Sequence, residues 1–301
     1  MSIALTSGMR QNLISLQNVN TLMETTQKRL STGKKVNSAL DDPVNFFKAK
    51  DHSNRASDLA AKKDGMGEAI KIIETGNSGI EAMENLLNQM KSLASAAKTS
   101  DNVGDLQTQY NTLLGQVASL AKDSNYGGQN LTFRETAAST STNKLVVELN
   151  EYAASNTTQG SSLNVQGFSV SRASAATDSN LQLYGSAGST VTVSVVYVTG
   201  AAANAFSTTT NVDKAIESID KFISQLRTEA QKLSSSLSTI EIRSDFTNEM
   251  MNTLNTGADN LTLADMNEEG ANMLMLQTRQ NLGTTSLSLA SQAAQAVLQL
   301  F

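Results

Sequence analysis

The sequence predicts a mainly α fold, a long antiparallel helical coiled-coil rod formed by the N- and C-terminal halves, with a small β-rich central insertion. Three observations predict it. Apolar residues recur at alternating four- and three-residue steps near both ends of the chain, most regularly from Val212 to Ile240. Lysine and glutamate nearly vanish after Glu151, and Ser, Thr, Ala, Gly and Val take over until about residue 210. The 301 residues include one proline, Pro43, and only 4% aromatics. Proline removes a helical hydrogen bond and clashes with the preceding turn, so a chain far below the average usage of about 5% suits long helices. Few large rings point to thin, elongated cores rather than the interior of a compact enzyme.

Residues 3–30 read as a helix with Leu5, Met9, Leu16, Val19, Met23 and Leu30 on one stripe and Asn12 and Thr26 as polar members of it. Gly33 suits a C-cap, and Pro43 after Asp41-Asp42 suits the first position of a new helix. That helix runs from about Val44 to Lys98. Its stripe is Ala56, Leu59, Met66, Ile70 and Ile73, then Ile80, Met83, Leu87, Met90 and Ala94, with a shift of phase near Gly76 and Gly79 where the supercoil is expected to change. A shorter helix from Asp105 to Ala121 carries Leu106, Tyr110, Leu113, Val117 and Leu120 on one side, and Asn125-Tyr126-Gly127-Gly128 ends it.

In the middle, Thr190 to Val195 alternates with the two-residue period of a half-buried strand. Lys144 to Leu149, Leu163 to Val170 and Leu181 to Tyr184 are further strand candidates between Gly and Ser turns. Helix resumes from Val212 to about Leu254. Its rod-core residues are Val212, Ile216, Ile219, Ile223, Leu226, Leu233, Leu237 and Ile240, with Ala230 completing the stripe. Steps of four and three keep these side chains on one narrow line, which needs a long partner helix. Asn255-Thr256-Gly257 reads as a break before a last helix from Leu263 to Phe301, with Leu276, Gly283, Leu287, Ala290, Ala294, Val297 and Phe301 as its stripe. The expected domains are a terminal coiled-coil domain (1–40 plus 257–301), a helical rod domain (41–134 plus 212–256) and a β-rich domain (135–211).

Composition removes several functions. A net charge of −5 gives no basic surface for nucleic acid. No apolar run approaches the roughly 20 residues that span a bilayer. Without cysteine there are no disulfides or thiolate metal sites. His52, the one imidazole, sits in a charged helical stretch and reads as a solvated helix residue, so neither an enzyme nor a cofactor or metal site is expected. Gly65-Met66-Gly67 lies mid-helix after no strand and is not a nucleotide loop. Met1 to Arg10 lacks the pattern of a cleaved secretory signal, so export would use another route.

The terminal helices are thin and rich in Gln, Asn, Ser and Thr. Paired with each other, they bury too few aliphatic side chains to offset the entropy of ordering them. Apolar residues outside the main stripes, Leu13, Leu22, Leu282, Leu289 and Leu298, would then find partners only in copies of the same chain. The candidate assembly residues are Leu5, Met9, Leu13, Leu16, Leu22, Leu30, Leu282, Leu287, Leu289, Val297, Leu298 and Phe301.

Three motifs in order carry a family resemblance. The string Leu30-Ser31-Thr32-Gly33-Lys34-Lys35-Val36-Asn37-Ser38-Ala39-Leu40-Asp41-Asp42-Pro43 resembles the signature joining the first two helices of bacterial flagellin. Tyr126-Gly127-Gly128-Gln129-Asn130-Leu131 resembles its turn after the short N-terminal helix, and Ala264-Asp265-Met266 through Ser291 to Leu300 is similar to its C-terminal domain. The resemblance covers roughly 1–135 and 212–301 and leaves the middle as the family's variable surface domain. It implies a structural subunit that polymerises into the flagellar filament for swimming motility. It also implies export in unfolded form through the flagellar type III apparatus and a final location outside the cell. Implied partners are copies of the chain, the filament cap, hook-associated junction proteins and an export chaperone on about Met266 to Phe301. The nearest alternative is a hook–filament junction protein, which shares both terminal segments. An animal Toll-like receptor reads the family segment corresponding to Leu87 to Leu93. Here Gln89 stands where the family pattern has Arg and Ser92 where it has Glu, with Lys91 and Leu93 beside them, so weak recognition is expected.

Overall fold

Asp42 and Pro43 open the longest helix as their chemistry dictates. The Asp42 carboxylate accepts the Asn45 backbone N–H at 3.1 Å, a side-chain N-cap, and Pro43 is the first helical residue. The computed structural model describes residues 7–133, 143–152, 160–172, 180–184, 193–195, 206 and 208–298. Its elements are α1 (Ser7–Thr32), α2 (Pro43–Ala97), α3 (Val103–Asp123), β1 (Asn125–Tyr126), β2 (Gln129–Asn130), β3 (Lys144–Glu148), β4 (Ser162–Gln166), β5 (Ser169–Arg172), β6 (Leu181–Tyr184), β7 (Val193–Val195), α4 (Thr209–Thr262) and α5 (Met266–Leu298). The fold is mainly helical, with long helices at both ends and small antiparallel sheets between them. Leu5, Phe301 and the Thr190–Thr192 part of the expected strand lie outside the described residues.

The chain divides into two compact units, residues 1–57 with 251–301, and residues 58–250. In the first, the links between helices are laced by backbone hydrogen bonds. Gly33, at φ +69°, turns the chain out of α1 and its N–H returns to the Arg29 carbonyl at 2.8 Å. Lys35 and Val36 then donate to the Thr262 carbonyl at 2.7 and 3.2 Å, and Ala264 donates to the Gly33 carbonyl at 3.0 Å. Asp41 accepts from the Asn37 and Ser38 backbone N–H groups at 3.0 and 2.9 Å and from the Ser38 hydroxyl at 3.1 Å. Those donors, the Asn37 N–H foremost, hold its carboxyl below the ordinary range.

The break expected at Asn255-Thr256-Gly257 is absent, because α4 continues to Thr262. Gly257 keeps a negative φ and faces the His52 ring, where an added Cβ would sit 3.8 Å from Cδ2. A lone helical glycine costs only about 1 kcal/mol against alanine, too little to end a helix whose hydrogen bonds continue on both sides. The chain breaks instead at 263–265, where the Asp265 carboxylate accepts the Asn267 N–H at 2.8 Å and caps α5.

In the second unit α2 and α4 run antiparallel as a coiled-coil pair of constant register. Lys63 donates to the Asn248 carbonyl oxygen at 2.9 Å, Asn77 to the Ser234 hydroxyl at 3.4 Å, and Arg227 Nε to Glu84 at 3.1 Å. Lys91 meets Asp220 at 2.5 Å and Lys98 pairs with Asp213. Every heptad step forward on α2 matches a heptad step back on α4. Beside these rungs, Leu59, Met66, Ile73, Ile80, Leu87 and Ala94 of α2 are buried, as are Val212, Ile219, Leu226, Leu233 and Ile240 of α4.

The buried phase on α2 does not shift at Gly76 and Gly79. Those glycines instead admit neighbours. A Cβ on Gly79 would stand 2.2 Å from Ser124 Oγ, and one on Gly76 would stand 3.6 Å from Leu233 and 3.7 Å from Leu131. Gly65 and Gly67, by contrast, have nothing within 4 Å of an added Cβ. Gly65→Ala or Gly67→Ala should therefore stabilise the chain by about 0.5–1 kcal/mol, while Gly79→Ala should destabilise it. Thermal unfolding followed by helical circular dichroism checks both signs, and a stabilising Gly79→Ala would contradict the packing.

Ser124 ends α3, its N–H and hydroxyl both reaching the Leu120 carbonyl at 3.0 and 2.8 Å. Gly127 and Gly128, at φ +58° and +83°, then form the tight hairpin turn between β1 and β2. Asn130 and Thr132 satisfy the end of α3, donating to the Ala121 carbonyl at 2.9 and 2.8 Å. The single strand expected over Leu163 to Val170 is two, β4 and β5. They part at Gly167, whose missing Cβ would lie 2.6 Å from the Leu131 carbonyl oxygen. β3 pairs with β4, and β5, β6 and β7 form a second antiparallel sheet. One continuous apolar core joins α2, α3, the strands and α4.

Candidate functional site

The terminal pair α1 and α5 holds most of the candidate assembly residues. The two helices run antiparallel, with Asn12 donating to Ser286 at 3.1 Å, Gln280 to Asn20 at 3.0 Å, and Arg29 to Glu269 at 3.0 Å. Glu269 is largely buried, so this ion pair is the firmest polar tie of the seam. Met9, Thr26 and Leu276 are buried in it, and Leu16, Val19, Met23, Leu30, Leu287 and Ala290 are half-buried. Leu16 packs over Gly283, where an added Cβ would meet its Cδ1 at 2.5 Å. Asn12, a polar member of the stripe, is satisfied by the serine opposite it.

The seam leaves much of the pair's apolar surface uncovered. Leu13 is 40% exposed, Leu22 53%, Leu282 65% and Leu289 62%. Val297 and Leu298 fall at the end of α5. Ile14, Leu274 and Met275 are exposed as well and escaped the sequence reading. Met275, Leu282 and Leu289 recur at a heptad step, a signal present in the sequence but hidden beside the main stripe.

The rod-core residues sit in the second unit. Val212, Ile219, Ile223, Leu226, Leu233 and Ile240 are buried, while Ile216 and Leu237 are half-buried at the core's margin. Ala215, Phe222 and Glu229 are buried instead on the other side of the line, because α4 faces a core to which several elements contribute. Buried Glu229 is held by Lys232 at 2.9 Å and Gln225 at 3.2 Å. Tyr110 is fully buried edge-on to Phe206, with ring centroids 5.1 Å apart, and burial pushes its phenol pKa up. Among the described residues no cluster of His, Asp and Glu could hold a metal, and no helix is long and apolar enough to cross a membrane.

Two family models match the chain. The bacterial flagellin N-terminal helical region matches residues 5–137 and the bacterial flagellin C-terminal helical region matches 209–301. The chain belongs to the bacterial flagellin family. Its relatives include flagellin FljK of Caulobacter vibrioides, 29% identical over 96% of this chain and 95% of that one. Flagellin C of Rhizobium meliloti is 26% identical with the same coverage, and the flagellin of Brucella melitensis is 24% identical over 100% and 99%. Flagellins are structural rather than enzymatic proteins, and this one is accordingly a filament subunit that associates with its own kind. The unmatched stretch between the two models contains β3 to β7, and α1, β1, β2 and α5 lie inside the matched ends.

In this flagellin the segment Leu87 to Leu93 lies on α2. Leu87 and Met90 are buried, Gln89 and Ser92 are exposed, Leu93 is half-buried, and Lys91 is engaged by Asp220. The surface it offers is thus a neutral glutamine and serine beside a lysine paired with Asp220.

Proposed function

We propose that this chain is the filament subunit of a swimming flagellum, exported unfolded through the flagellar type III apparatus and assembled outside the cell. The observation that carries this reading is the uncovered aliphatic surface of α1 and α5: Leu13, Leu22, Leu282 and Leu289 face water in the single chain. Water-exposed leucines on a thin, polar helix pair gain their burial only from neighbouring copies, so association and ordering of the ends proceed together. Residues 1–40 with 257–301 act as the terminal assembly domain, 41–134 with 212–256 as the surrounding helical domain, and 135–211 as the solvent-facing domain. The filament cap, the hook-associated junction proteins and an export chaperone on Met266 to Phe301 complete the partner set. Electron microscopy of the purified protein, heated to monomer and cooled, should show long filaments; protein that stays monomeric under seeding would remove the reading.

Toll-like receptor recognition is weak on this proposal, because Gln89 and Ser92 supply no charge and Lys91 is paired within the molecule. Purified monomer should barely stimulate receptor-reporter cells. Gln89→Arg with Ser92→Glu should raise the response, and potent stimulation by the unaltered chain would count against this part.

A further inference from the structure

Eleven methionines occur in the chain, and the fold treats them unequally. Met66, Met83 and Met90 are fully buried in the core of the second unit, and Met9 is buried in the terminal seam. Met23, Met250, Met251 and Met273 are half-buried. Met266 and Met275, both on α5 and both 47% exposed, are the two exposed methionines among the described residues. A thioether is oxidised where an oxidant can reach it, so these two are the open ones.

The two stand in different surroundings. Nine residues separate them, two and a half turns at 3.6 residues per turn, so they occupy opposite sides of α5. Met266 is the first residue of the helix, beside the Asp265 that caps it. Met275 lies in the helix interior and begins the line it forms with Leu282 (65% exposed) and Leu289 (62%). One heptad earlier the same line meets Glu268, exposed and charged, and there its apolar character stops. Leu274, exposed beside Met275, widens the line at this end.

We infer that Met275 is a redox-sensitive modification site: a peroxide converts its thioether to the sulfoxide, and the sulfoxide bars the α5 line from assembly. In that step a sulfur lone pair attacks one peroxide oxygen, and the S–O bond forms as the O–O bond breaks. Sulfur is oxidised by two electrons and the peroxide is reduced. The leaving hydroxide takes the proton of the transferred oxygen and departs as water. Reduced methionine is apolar and flexible, which suits a contact between copies. The sulfoxide puts a strong acceptor oxygen in the same place, and burying it without a donor is costly. Copies that cover the line also shield the sulfur, so sensitivity belongs to the unassembled chain. This inference rests on the filament reading and adds a chemical control to it.

The test treats heat-monomerised, cooled protein with limiting hydrogen peroxide and maps the sulfoxides by peptide mass spectrometry. The quenched protein is then mixed with filament seeds, and sedimentation reads its critical concentration. Sulfoxide should appear at Met266 and Met275 while Met66, Met83 and Met90 stay reduced. The critical concentration should rise at least about tenfold, and enzymatic reduction of the sulfoxide should restore it. Met275→Leu, a swap of similar volume, should polymerise normally and lose the sensitivity, whereas Met266→Leu should keep it. Met275→Gln sets a polar group there without any oxidant and should raise the critical concentration by itself. Glutamine is a good helix former, so circular dichroism of that variant should match the unaltered chain. Preformed filaments given the same dose should keep Met275 reduced. Protein oxidised at Met275 that polymerises like the untreated chain, or a Met275→Leu variant as sensitive as the original, would overturn the assignment. Failure of the untreated chain to polymerise would instead remove the filament reading beneath it.

Discussion

Removing Leu287–Phe301 should abolish filaments while leaving residues 58–250 folded. The removed segment ends the seam with α1, taking away half-buried Leu287 and Ala290 and the exposed leucine at 289. The rungs of the α2–α4 ladder and the core around Met83, Tyr110 and Phe222 belong to the other compact unit. The truncated chain should therefore keep a cooperative unfolding transition in circular dichroism and still give no polymer with seeds. Normal filaments from this truncation would sink the assembly role of the terminal pair. Loss of the transition would show that the second unit leans on α5, contrary to its self-contained core.

Leu226→Ala should cost about 2–5 kcal/mol of stability, the range for a fully buried leucine truncated in a tightly packed core. Leu226 is 0% exposed and lies between the Glu84–Arg227 and Lys91–Asp220 rungs, where the pair is tied on both sides and cannot easily collapse around a cavity. Leu237→Ala, at the half-buried margin, should cost less than half as much, because part of its surface is already in water. Denaturant unfolding of the two variants, compared at constant slope, measures the difference. Equal losses would mean that the core is not centred where the ladder places it.

Much of this molecule was legible in its residues. The helices α1, α2, α3 and most of α4 follow from apolar spacing, and their ends follow from Gly33, Pro43 and the Gly127-Gly128 turn, because capping and turn chemistry are local. The sites missed share a cause. Gly257 resembled a break because a glycine in isolation signals flexibility, yet neighbouring helical hydrogen bonds overrode it. Gly76 and Gly79 resembled a shift of supercoil because the sequence does not show that Ser124 and Leu131 arrive against them. Ile14, Leu274 and Met275 passed unnoticed because exposure is a property of the packed chain, and an apolar residue beside a stripe carries no sign of which way it faces.

By itself the sequence determined the periodicity, and with it the helical class, the thin seams, the absence of cysteine, and the flagellin motifs. Only the tertiary structure decided the register, the side of α4 that is buried, and which apolar residues stay in contact with water. The physical reason is that a heptad pattern is satisfied by any partner of the same period. The pairing of Lys91 with Asp220 and of Glu84 with Arg227, and the close approach at Gly79 and Gly283, select one alignment among many.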